Sequence, residues 1–286
     1  MSFEVTSLER NPEFAEQVGR LAEEGWPAFL LHGDTKHWDR LFDDFAEYQI
    51  LFREPAGGLI AVGHAVPFVW VGTPEDLPST MSELLQRALR TRRDRSTTNT
   101  LSALAAIVTS SHQRSGLSAE ILRAMRSLAA ERGMHSLVAP VRPTLKSSYP
   151  LTPFEQYVGW KRDDGSPFDP WLRVHWRLGA EFLKIAPATV TVIATVADWE
   201  EWTGIIFPES GEYVVPGALQ PIMIDREQNV GTLGRPQRLD ATPAHDHGNR
   251  RVAYLPLTQV ERGLLVIGVD FLDVADHGRP GIETSG

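Results

Sequence analysis

No cysteine occurs anywhere in the 286 residues, which excludes a disulfide, a thiolate nucleophile and a thiolate metal site. Long apolar runs are missing too. No stretch approaches the ~20 residues that a membrane span needs, and the opening Met-Ser-Phe-Glu carries no basic n-region, so we expect no membrane partner and a cytoplasmic address. Basic charge is scarce: 28 Lys and Arg against 37 Asp and Glu leave −9, spread along the chain, which argues against nucleic acid as a partner. Metal-ligand spacing is also rare. Of nine histidines only His245-Asp-His247 are close together, and their Pro/Gly/Asp-rich surroundings read as a solvated loop, so no metal is expected.

What is present is an ordinary globular composition, 42% hydrophobic and 23% charged, with eight tryptophans and enough length to bury a full core. Residues 3–5 suit a short strand. Asn11-Pro12 opens a helix, because proline at the first helical position gives up no needed N–H, and Phe14, Val18 and Leu21 then share a face. Asp34 is placed to cap a second helix carrying Trp38, Leu41, Phe42 and Phe45 at helical spacing. Two β-rich runs, 48–52 and 59–66, flank Arg-Glu-Pro-Ala-Gly-Gly and read as a hairpin. Residues 81–92 look helical, and 100–108 (TLSALAAIV) have the small, apolar character of a strand buried on both faces. Leu117, Ile121, Met125 and Leu128 then define one face of a helix that Gly133 stops, and 135–141 form a further strand. The order is that of an α/β chain with a crossover in its second half.

Between the buried strand and its helix lies SSHQRSGLS, residues 110–118. A turn from strand into helix leaves several backbone N–H groups pointing at one place, with the positive end of the helix dipole behind them. Gly116, Ser115 and Ser118 let a bulky anion approach, while Gln113 and Arg114 add side-chain donors. The residue types suit a pyrophosphate, or alternatively a plain polar start to a helix. They do not match a P-loop, which needs Gly-Lys-Ser/Thr.

The stretch VTSSHQRSGLS resembles the acyl-CoA loop of the GNAT superfamily of N-acyltransferases, whose pattern is Arg/Gln, two residues, Gly, one residue, Gly/Ala. Gln113 fills the first position and Gly116 the glycine, whereas Ser118 stands where the family has Gly or Ala. The order of elements over residues 3–225 is similar to that family as well. The resemblance implies an α+β fold with a mixed, mostly antiparallel central sheet flanked by helices. It implies acetyl-CoA or another acyl-CoA as cosubstrate, its pyrophosphate on the N–H groups of Arg114, Ser115, Gly116, Leu117 and Ser118, and its pantetheine along Ala106, Ile107 and Val108. The acceptor expected is a small-molecule amine that attacks the thioester directly.

Such chemistry needs a base for the amine and an acid near the departing sulfur. The family often places a tyrosine four residues before a Gly-Phe pair. Of two segments competing for that place, 154–160 and 175–180, we prefer the second, which puts His175 where the tyrosine would be. Residues 146–169 then form an insertion, and within it Glu155 and Tyr157 are further candidates for a base or an acceptor contact. Residues 198–219 combine Trp199, Trp202 and Tyr213 with Glu200, Glu201, Glu209 and Glu212. They read either as a cation pocket or as a helix with one packed face.

Residues 219–225 read as the last strand of a domain spanning 1–225. Residues 226–249 read as a linker, and 250–286 as a C-terminal β extension whose hairpin covers a sheet edge or pairs with a second subunit in a homodimer. The expected function is N-acyl transfer, with acetyl as the acyl group. Two alternatives stay open at this point: a GNAT-like decarboxylase acting on malonyl-type thioesters, and a non-catalytic acyl-CoA-binding scaffold.

Overall fold

The computed structural model describes residues 2–33, 35–55, 57–186 and 190–234, together with the strand Leu264–Asp270. Strand β1 (Glu4–Ser7) leads through a 3₁₀ turn at Pro12–Phe14 into α1 (Ala15–Gly25), which buries Val18 and Leu21. The second helix is shorter than its apolar spacing suggests. Only Arg40–Asp44 (α2) is helical, because Phe45 leaves the helical region at φ −133° and the chain tightens into a 3₁₀ turn. Asp34, expected as its cap, lies outside the described residues.

The hairpin follows as β2 (Ile50–Arg53) and β3 (Leu59–Phe68). Helix α3 (Met81–Arg93) is started by Thr80, whose side chain accepts from the Glu83 N–H, while the Ser79 N–H donates back to the Glu83 carboxylate. Strand β4 (Thr100–Val108), helix α4 (Leu117–Glu131) and strand β5 (Ser136–Val141) form the crossover. Helix α4 lies close on the sheet because Gly63 in β3 has no side chain. A Cβ there would sit 2.6 Å from Ile121 and 2.7 Å from Met125.

After β5 come α5 (Phe154–Val158), α6 (Pro170–Arg177) and β6 (Glu181–Ala186). Asp169 caps α6, accepting from the N–H groups of Trp171 and Leu172. The chain then builds a separate unit from β7 (Val192–Ala194), α7 (Val196–Thr203), β8 (Gly211–Tyr213), β9 (Ile222–Asp225) and β10 (Val230–Leu233). Its own core centres on Trp199, Phe207, Ile222 and Ile224. The final described strand is β11 (Leu264–Asp270).

Two sheets result. The larger runs β1-β2-β3-β4-β5-β11-β6 and is antiparallel except between β4 and β5; the smaller runs β7-β10-β9-β8 and is antiparallel throughout. Three expectations change here. Ile222–Asp225 belongs to the smaller sheet and is not the last strand of the larger one. Within 226–249, read as a linker, Val230–Leu233 is a strand paired on both sides. Finally, β11 does not cover an edge. It fills the place between β5 and β6 with both its edges paired, so it offers neither to a second subunit. An uninterrupted apolar run such as LLVIGV suits that central position. The other half of the expected hairpin, 252–257, and His245 and His247 lie outside the described residues. No helix among the described residues is long and apolar enough to cross a membrane.

Candidate active site

The parallel pairing of β4 with β5 lasts only from Thr100↔Ser136 to Ser102↔Val138. Beyond it the strands part. On the β3 side the register of β4 shifts between Ala103 and Ala105, which leaves Leu104 as a bulge that bends the strand at the point of separation. On the facing strand Pro140 has no N–H to offer, which removes one means of closing the gap. A cleft of about 370 Å³ opens between the strands, lined by residues 103–108 of β4 and 139–141 of β5. Gly25, Trp26 and Pro27 from the end of α1 and Trp171 and His175 from α6 complete its sides.

At one end of the cleft stands the loop 109–116. The Thr109 N–H is tied to the Ile60 carbonyl, and a 3₁₀ turn at Ser110–His112 follows. His112 is fixed through Nδ1 to the hydroxyls of Thr109 and Ser111, both at 2.9 Å, and its Nε2 lies 3.4 Å from the Glu54 carboxylate. Arg114 and Gly116 both adopt left-handed backbone, at φ 62° and 87°. For arginine that conformation is sparsely populated and costs about 1 kcal/mol or more, whereas for glycine it is nearly free.

The outcome is a run of unused donors. After the His112 N–H, the next backbone groups to find an acceptor are Ala119 and Glu120, both on the Gly116 carbonyl, so among the described residues 113–118 spend no N–H on the protein. These groups begin the fifteen-residue helix α4. Gln113, Arg114, Gly116, Leu117 and Ser118 all line the cleft, as do Ala106, Ile107 and Val108. Ser115 turns its hydroxyl back onto the His112 carbonyl and steadies the turn. The helix begins at Leu117, after the two left-handed residues.

His175 lines the cleft from α6. It is buried, packs edge-on against Trp171 with ring centroids 4.5 Å apart, and its Nε2 has no hydrogen-bond partner. Burial pulls its pKa down to about 4, so the ring is neutral at pH 7.

Glu155 and Tyr157 are not brought to this place; neither lines the cleft. Tyr157 is buried on α5 and its hydroxyl donates to Asp169 at 2.7 Å. Burial and that neighbouring carboxylate hold its pKa far above the ordinary phenol value, which removes it as a base at neutral pH. The insertion 146–169 is accordingly a packed cap. Tyr149, Tyr157, Trp160 and Phe168 meet one another at 5.1–6.1 Å, mostly edge to face. The tryptophans of α7 also pack. Trp199 is wholly buried in the core of the smaller sheet, and Trp202 stacks on His32 at 4.3 Å.

Sequence reasoning missed the side of the cleft facing β4. Arg142 and Thr144, just beyond β5, line it, as does Trp26. Arg142 donates to the Gly217 carbonyl, and the buried ammonium of Lys146 donates to the carbonyls of Tyr149 and Leu219. Two cations thereby fasten the segment around 217–219 to the mouth of the cleft. Nothing local in the sequence signals this, because the partners are 75 and 73 residues apart.

No family model matches the sequence. Over 251 residues, however, the chain is 34% identical to the arginine N-acetyltransferase avaD of Aspergillus versicolor, a match that spans 77% of this chain and 86% of that protein. The chain belongs to the GNAT superfamily of acyl-CoA-dependent N-acyltransferases. It is an N-acetyltransferase of that superfamily. Solved structures agree on the fold. The loading GNATL domain of CurA from Lyngbya majuscula superposes with a TM-score of 0.54 at 17% identity, covering 66% of this chain and 89% of that one. The GphF GNAT-like decarboxylase in complex with isobutyryl-CoA gives 0.50 at 18% identity, covering 65% and 89%. In this GNAT chain the splayed β4 and β5 and the loop before α4 form one continuous surface.

Proposed function

We propose that this protein transfers the acetyl group of acetyl-CoA to the amine of an amino acid, with arginine as the acceptor to test first. The observation that carries the reading is the row of six unspent N–H groups at 113–118, beside a cleft that His175, whose buried Nε2 has no partner, also lines. The choice of arginine draws on the 34% identity to avaD.

The pyrophosphate of the cosubstrate accepts hydrogen bonds from the N–H groups of 113–118, helped by the dipole of α4 and by the side chains of Gln113 and Arg114. A side chain on Gly116 would meet no protein atom within 4 Å, so the space beside it is open to a phosphate. The pantetheine runs along Ala106, Ile107 and Val108, where β4 has lost its β5 partner and its free backbone edge can bond to amide groups. Small residues at 103, 105 and 106 leave that edge unobstructed.

With the thioester held in the gap between the strands, the acceptor nitrogen attacks its carbonyl carbon. A nitrogen–carbon bond forms as the carbon–sulfur bond breaks, and the proton lost by nitrogen is balanced by one gained at sulfur, giving the acetylated amine and the free thiol of CoA. His175 serves this exchange as a neutral imidazole. Its Nε2 is buried and has no protein partner, so a substrate that reaches it meets no competing hydrogen bond, whether the ring donates to the departing sulfur or accepts from the attacking amine.

Isothermal titration with acetyl-CoA, followed by a panel of amines assayed for thiol release, tests the reading. We expect micromolar binding of acetyl-CoA and turnover with arginine above the rate of hydrolysis. Binding with no turnover on any amine would return the protein to a scaffold. Carbon dioxide released from malonyl-CoA without an amine would make it a decarboxylase.

A further inference from the structure

Arg142 has no task in the scheme above. It follows β5 directly and lines the cleft, yet its one protein acceptor is the Gly217 carbonyl, and among the described residues no carboxylate pairs with it. A guanidinium has five N–H donors, so most of its capacity is unspent. Burial lowers its pKa to about 10, which still leaves it a cation at neutral pH. A charge kept half-buried without a counter-ion is costly, and a ligand that supplies the missing charge recovers that cost.

Its position is fixed in advance. The Gly217 carbonyl takes one donor, Lys146 grips Leu219 two residues on, and Gly217 lies so close to Pro27 that a Cβ there would be 2.8 Å from the ring. The guanidinium is therefore held where the end of α1, the end of β5 and the segment 217–219 converge. The remaining lining is equally telling. No aspartate or glutamate contributes to it among the described residues, whereas Arg114, Arg142, His112 and His175 do. A cationic side chain on the acceptor has no partner there; an anionic group does.

We infer that Arg142 is the receptor for the carboxylate of the acceptor, so that the enzyme recognises an amino acid by its acid end and leaves the acceptor's own cation outside the cleft. This rests on the amino-acid reading given above. A planar guanidinium with paired donors matches a carboxylate in bidentate fashion, which an ammonium does not.

The test compares arginine with argininamide and agmatine, which keep the guanidinium and lack the carboxylate. Wild-type protein should turn over arginine with kcat/KM roughly 10- to 100-fold above either analogue, the discrimination a charge-assisted pair supplies. Arg142→Met should bring the three substrates to within about threefold of each other, and Arg142→Lys should recover only part of the difference. A variant damaged merely by loss of the Gly217 tether would slow all three equally and leave their ratio intact, which overturns the inference. So would equal use of all three by the wild type, even though acetyl transfer itself then stands. If no amine is turned over, the acceptor reading fails, and calorimetry of arginine and argininamide on the CoA-loaded protein decides the inference separately. Tighter arginine binding that Arg142→Met abolishes supports it, and equal binding overturns it. A malonyl-CoA titration closes the remaining route. If Arg142→Met loses malonyl-CoA affinity and keeps its preference for arginine, the carboxylate belongs to the acyl group and the inference is wrong.

Discussion

The two walls of the cleft are made of different material. On the β4 side an incoming ligand would meet mainly backbone: an unpaired strand edge and a loop with six free N–H groups, with the small residues Ala103, Ala105, Ala106, Gly116 and Ser118 among its lining. On the β5 side it meets side chains: Pro140, Arg142, Thr144, Trp171 and His175. Backbone donors recognise what every acyl-CoA shares, a pyrophosphate and a chain of amides. Side chains recognise what differs between acceptors. In the scheme proposed above, one wall holds the cosubstrate and the other selects the acceptor.

The sharpest way to break this contrast is at Gly116. Its left-handed φ of 87° admits a side chain only with strain, and the open space beside it is where the phosphates go in the proposed scheme. Gly116→Trp should lower acetyl-CoA affinity about 100-fold or more while leaving the melting temperature within a few degrees, since no packed atom is displaced. Calorimetry reads the first and thermal unfolding the second. Unchanged affinity would place the cosubstrate elsewhere.

A large effect is also expected on the opposite wall, with a different signature. His175→Phe should reduce kcat by roughly 10²–10⁴, as loss of a proton-transfer group does, with acetyl-CoA affinity unchanged. It should simultaneously raise stability by about 1 kcal/mol, because a buried nitrogen without a partner is replaced by carbon. Activity falling while stability rises distinguishes a catalytic imidazole from a packing one; an unaltered kcat would leave it the latter.

The same histidine and His64 make acid a probe of the whole sheet. His64 lies in β3 with Nδ1 2.9 Å from the Gln49 Oε1, and burial lowers its pKa to about 4, as it does for His175. Both groups take up a proton more readily when the chain is unfolded, where their pKa is near 6.5. Stability is then present above about pH 6.5 and is lost as pH falls toward 4, by up to about 3 kcal/mol for each group. Urea unfolding at pH 7 and pH 5 should show it, and Gln49→Leu should not remove it, since burial and not the hydrogen bond is the cause.

How much of this was legible in the sequence follows from the same contrast. Strand β4, the loop and α4 could be read because their signals are local: nine small or apolar residues, a glycine at the turn, an apolar face repeating along the helix. His175 stands out through its spacing from a glycine, and the structure places it in the lining of the cleft. Arg142 does not stand out, since its significance depends on Gly217, and on an absence of carboxylates that only the folded cleft reveals. The last strand of the sheet was misplaced for a related reason. Residues 222–225 and 264–270 are both short apolar runs, and nothing within either says which sheet will take it. Tyr157 reads as a candidate from its place in an aromatic-rich insertion, whereas its partner Asp169 lies twelve residues on and is also the cap of α6.

That tyrosine supplies the smallest and most discriminating effect. Asp169 serves three clients at once: the Tyr157 hydroxyl and the Leu145 N–H on one oxygen, the first N–H groups of α6 on the other. Tyr157→Phe removes one donor from a buried carboxylate that keeps the rest, so it should cost about 1–2 kcal/mol in stability. Because α6 carries His175 and Trp171 into the cleft, a loosened cap would be felt there as a weaker hold on the acceptor, not as lost chemistry. We therefore expect KM for the amine to rise by no more than about threefold with kcat nearly constant, and Glu155→Gln to change neither. A fall in kcat as large as that of His175→Phe would move the chemistry out of the cleft and into the insertion, and the division between a backbone wall and a side-chain wall would have to be drawn again.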